Sequence, residues 1–84
     1  MKKIKIRIKN DSDDLMSIIK EPEAIEGFIS KGDRICVETN DEEDNIQINV
    51  GKNVDGTIFI QIWDALNTCY TINHNGKNMF EEYL

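Results

Sequence analysis

The chain has one proline, one histidine, one tryptophan and two cysteines, and only two of its 84 residues are alanine. Each scarcity excludes something. One histidine and two distant cysteines, Cys36 and Cys69, do not assemble the four ligands of a structural zinc site. There is no Cys-x-x-Cys pair, and both cysteines fall in apolar-periodic segments. They read as buried free thiols of a reducing compartment. No apolar run approaches the length of a membrane span. Met1-Lys2-Lys3 leads into alternating isoleucine and lysine rather than an apolar segment, so a secretory signal is not expected. No cofactor, no membrane and no direct nucleic acid are expected, and the bacterial cytoplasm is the expected setting.

Catalytic chemistry finds little to build on. His74 lies between Asn73 and Asn75 in an expected turn, where a solvated side chain is the ordinary outcome. Ser12, Ser17 and Ser30 all fall in or beside the first expected helical region, away from it. A nucleophile–base pair needs two groups aimed at one another. Asp11, Asp13 and Asp14, and then Asp41 to Asp44, invite a calcium reading, but neither cluster has the central glycine and distal glutamate of a calcium-binding loop. Each glycine is explained by a turn or an element end, and no phosphate-binding loop is present. No enzyme is expected.

Isoleucine supplies 14 residues and asparagine nine, and lysine outnumbers arginine. That bias suits a low-GC coding sequence such as that of a bacterium or its phage. Residues 2–9 alternate cleanly, Ile4, Ile6 and Ile8 on one face and Lys3, Lys5, Arg7 and Lys9 on the other, which predicts a half-buried strand. Leu15, Met16, Ile18 and Ile19 have helical spacing behind a capping Asp11 or Ser12, with Asp13 and Asp14 favoured by the helix dipole. This predicts a helix over 12–20, a break at Glu21-Pro22 and a second helix over 22–30, closed by Gly32.

Strands are predicted at 34–39 and 45–50, joined as a hairpin by an acidic loop, and at 57–63. In the last, Ile58, Ile60 and Ile62 face one way and Phe59, Gln61 and Trp63 the other. Residues 68–72 read as a further strand, 73–76 as a turn, and 79–84 as a helical turn capped by Asn78. The expected fold is a single α+β domain of order β-αα-β-β-β-β-α. Its antiparallel sheet is packed on one face by the 12–30 helices.

Charge is the main functional clue. The net charge is −6, yet residues 1–9 hold five of the ten basic residues and no acid. The other 75 positions carry a net −11. The basic stripe reads as an edge-strand guard, or as the partner of acids such as Glu38 on a neighbouring strand. The acidic body speaks against a polyanion and for a protein partner with a basic surface. The expected function is therefore a non-enzymatic protein-binding module. In size, acidity and lack of motifs the chain is similar to immunity proteins, antitoxins and phage anti-defence proteins, including anti-CRISPR proteins. Asp41, Glu42, Glu43 and Asp44 would stand in for phosphates, and Phe59 and Trp63 would be apolar anchors, unless Phe80 and Tyr83 cover them. The alternative expectation is an assembly module that forms a homodimer through an edge strand.

Overall fold

A computed structural model describes residues 4–39, 45–64 and 70–81. These contain eight strands: β1 (Ile4–Lys9), β2 (Met16–Lys20), β3 (Ile25–Ile29), β4 (Arg34–Thr39), β5 (Ile46–Lys52), β6 (Ile58–Asp64), β7 (Tyr70–His74) and β8 (Lys77–Asn78). They form two four-stranded sheets, β1-β4-β7-β8 and β3-β2-β6-β5. One core cluster joins Ile35, Val37, Tyr70 and Ile72 of the first sheet to Met16, Ile18, Ile29, Ile60 and Ile62 of the second. The architecture is a β-sandwich, which corrects the expected α+β fold.

The correction is concentrated at residues 12–30. Where two helices are expected, β2 and β3 form an antiparallel pair, Met16 opposite Ile29 and Lys20 opposite Ile25. The intervening turn holds the cis Glu21–Pro22 bond and Ala24 at φ 59°. β2 is an inner strand, and Ser17, flanked by Phe28 and Phe59 on the outer face, is as buried as Met16 and Ile18. A short apolar run of this kind fits a buried strand and a buried helix equally well by periodicity. What favours the strand is β-branching at Ile18, Ile19, Ile25 and Ile29, whose restricted χ1 suits a pleated surface. Gly27 adds to it: a Cβ there would lie 2.6 Å from the Met79 methyl, because the carboxy-terminal segment packs directly on β3.

Residues 10–15 cross between the sheets instead of capping a helix. Asn10, 1% exposed, is their organising residue. Its Nδ2 donates to the carbonyls of Asp14 and Ile29, at 2.9 and 3.0 Å. Its Oδ1 accepts from the amide and the hydroxyl of Ser12, at 3.0 and 2.6 Å. The Asn10 backbone adds bonds to Asp33 and Gly32, tying this crossing to the β3–β4 turn.

Two pairings also differ from expectation. β4 and β5 are not a hairpin: β4 lies between β1 and β7, and β5 pairs with β6 in the other sheet. Nor is the second sheet wholly antiparallel, since β2 runs parallel to β6 with Ser17 beside Phe59 and Lys20 beside Ile62. The β7–β8 hairpin turns at Asn75 and Gly76, both at positive φ (54° and 80°), as a type I′ turn requires. Asn78 ends β8 and its Oδ1 accepts the Phe80 amide at 3.0 Å, but residues 79–81 form a turn and not the start of the expected helix. The rest of the expected terminal helix, residues 82–84, and Cys69 lie outside the described residues.

Candidate functional site

Register decides which side chains share the outer face of the second sheet. Across it, one row reads Phe28, Ser17, Phe59, Gly51, and the next reads Glu26, Ile19, Gln61, Asn49. Trp63 stands beside Gln47 in the row after, at the end nearest Glu21. Three aromatic side chains therefore lie on one face. Phe28 is 53% exposed and Trp63 36%.

Phe59 is the partly sheltered member. It lies over Gly51, its cross-strand neighbour, where a Cβ would come within 2.4 Å of the ring. An aromatic ring covering a strand glycine restores packing the missing side chain cannot supply. Trp63, with Gln47, Asn49 and Gln61, lines a shallow recess of about 360 Å³. Gln47 Nε2 donates to Asn49 Oδ1, and Gln61 Nε2 donates to Glu21 Oε2, both at 3.1 Å. The recess thus has a polar floor with its amides already ordered. Among the described residues this face carries Glu21 and Glu26 and no lysine or arginine.

Phe80 does not cover these aromatics. It is 2% exposed and belongs to the core between the sheets, near Gly27. Tyr83 and the four acids Asp41, Glu42, Glu43 and Asp44 lie outside the described residues. Of the sequence-predicted site residues, Phe59 and Trp63 are brought together. Phe28 joins them; in the helix expected over 22–30 it would share the apolar face of Ile25 and Ile29, and only a strand turns it outward. Read with period two, Ile25-Glu26-Gly27-Phe28-Ile29 puts Phe28 outward beside Glu26.

Next to this face, the end of the sandwich is closed by a polar cluster. The Tyr70 hydroxyl lies 2.7 Å from the Glu21 carbonyl and 2.8 Å from that of Ile62. Burial, with Glu23 nearby, pushes its ionisation far above the usual phenol range. The Lys20 ammonium stands 4.8 Å from the Tyr70 ring centroid and pairs with Glu23, which holds the Glu23 carboxyl below its ordinary range.

His74 is not the free loop residue expected. It ends β7, and its Nε2 donates to Asp33 Oδ2 at 2.5 Å. This bond and the Arg34 amide keep the Asp33 carboxyl below its ordinary range. The pair pins the β7–β8 hairpin to the β3–β4 turn. No serine or cysteine shares a hydrogen bond with it among the described residues.

The outer face of the first sheet is the counterpart. Lys5, Arg7 and Lys9 project from edge strand β1, with Arg34 and Glu38 beside them on β4. Lys5 lies 3.8 Å from Glu38, the cross-strand pairing expected of the stripe. Cys36, a free thiol, sits between Arg7 and Asn73.

Among the described residues no group of three or more His, Cys, Asp or Glu could hold a metal ion, and no helix is long and apolar enough to cross a membrane. No known family, curated protein or solved structure matches the chain.

Proposed function

We propose that this protein is a non-enzymatic protein-binding module of the inhibitor type. It acts by covering a basic, nucleic-acid-facing surface of a partner protein. The observation that carries the reading is the outer face of the β3-β2-β6-β5 sheet, where Phe28 and Trp63 are exposed beside Phe59, Glu26 is the exposed acid, Glu21 is buried at the edge, and no base stands among the described residues. Aromatic anchors supply most of the affinity of a typical interface once desolvated, and an acidic surround steers a basic partner and selects against acidic ones. Guanidinium groups of such a partner would stack on Trp63 and Phe28 and pair with Glu26. Asp41, Glu42, Glu43 and Asp44, in the chain between β4 and β5, add carboxylates in the role of phosphates.

The test is affinity capture on immobilised protein at low and moderate salt, run in parallel with Phe28→Ala and Trp63→Ala. A protein with a basic surface should be retained by the parent. Each variant should weaken it by about 30-fold, the mark of a buried aromatic anchor worth about 2 kcal/mol. A partner without a basic surface, or one held equally by both variants, would overturn the proposal.

A further inference from the structure

The two outer faces of the sandwich are complementary to each other. Arg7 and Arg34 are exposed and make no ion pair among the described residues, whereas Lys5 is engaged by Glu38 and Lys9 by Asp11. Arg7 and Arg34, with Lys5, Glu38, Asn73 and Asn75, line an open groove of about 410 Å³. Glu26, on the opposite side of the molecule, is likewise exposed and outside every ion pair of the described residues, and it stands among Phe28, Ile19 and Gln61.

Net charge alone argues that two copies at −6 repel. The fold changes that estimate. Sheets in a sandwich pack about 10 Å apart, and side chains on the two outer faces add to the separation. Charges more than about 8 Å apart are largely screened at physiological salt. The basic face is therefore read locally, largely free of the acids on the far side. Guanidinium planes both pair with carboxylates and stack on aromatic faces, and the acidic face offers both at once.

We propose that this protein self-associates head to tail, the Phe28/Trp63/Glu26 face of one copy seated on the Arg7/Arg34 face of the next. The contact is heterologous, so it propagates instead of closing as a two-fold dimer. It is also weak. A face four strands wide and about six residues long covers only about 400 Å² in projection. That is about half of what a standard interface uses per partner. The association belongs near a dissociation constant of about 10⁻⁴ M and falls with salt. Because it occupies the face assigned above to a basic partner, a partner of higher affinity displaces it. The self-contact itself does not depend on such a partner existing.

Sedimentation velocity on the purified chain, over tens of micromolar to millimolar concentration at physiological and at high salt, tests this. The expected result is a concentration-dependent rise in mass at physiological salt that is lost at high salt. Arg7→Gln with Arg34→Gln, and separately Glu26→Gln with Trp63→Ala, should each be monomeric alone. Mixed, they should form a 1:1 dimer, since each keeps the face the other needs. That rescue also shows that both variants are folded. A parent that stays monomeric at every concentration would overturn the proposal. So would a salt-insensitive dimer retained by both variants, which would instead indicate edge-strand pairing, for instance through β5 with its exposed Val50. Neither outcome bears on capture of a heterologous basic protein, so the two proposals fail separately.

Discussion

Asn10 and Gly51 show how much of this fold rests on single positions. Asn10 is buried, and its side chain satisfies two carbonyls and holds Ser12. Removing it leaves buried acceptors without donors, each costing about 1–3 kcal/mol. Asn10→Ala should therefore lower stability by about 3 kcal/mol, read as a shift in the urea midpoint with an unchanged slope. Gly51 lies under the Phe59 ring. Gly51→Ala has to move that ring, and should cost about 1–3 kcal/mol as overpacking does. A neutral or stabilising result would mean that Phe59 is not seated as described. The outward direction of Phe59 and Trp63 is legible in the alternation of 58–63. That of Phe28 is not, because one wrong period reverses which face a residue occupies. His74 is instructive in the same way: no local signal announces Asp33, which is 41 positions away.

Among the elements, β1 and β6 are legible because clean period-two alternation over six or seven residues has one reading. β2 and β3 are not: apolar side chains fall on both faces of β2, and β3 alternates over only five residues, too few to separate a period of two from helical spacing. Ile-rich β-branching and the scarcity of alanine are the signals that outweigh the helical spacing. Pairing is harder still. β4 and β5 are adjacent in sequence yet lie in different sheets, and β2 finds its parallel neighbour β6 about 40 residues on. Those choices are made by the core and not by local chemistry.

The β3–β4 turn and the β7–β8 hairpin are held together by Asp33 and His74, and this tie has a pH signature. Asp33 is held below its ordinary value of 3.8, by His74 first and the Arg34 amide after it. A depressed carboxylate contributes stability that is present above its unfolded value and lost as pH falls through its folded one. Asp33→Asn should therefore lower the thermal midpoint at neutral pH, and the difference from the parent should vanish in acid well below pH 3.8. A difference that persists unchanged there would assign Asp33 a purely packing role.

The molecule as a whole is a small β-sandwich with two unlike outer faces. Size and acidity are visible in the chain. What the chain does not display is the segregation. Its overall acidity conceals one face where four bases meet two described acids, Glu38 and Asp11, and another with no base among the described residues. Segregation of this kind is a property of sheet register and is invisible to net charge.

Trp63 is the only tryptophan, so its emission reports directly on the face that carries the functional proposal. The decisive measurement is that emission as the captured basic protein is titrated in. The account predicts a shift to shorter wavelength and protection from aqueous quenchers, saturating at one partner per chain and lost at high salt. Saturated binding with Trp63 emission and quenching unchanged would place the contact elsewhere and contradict the account.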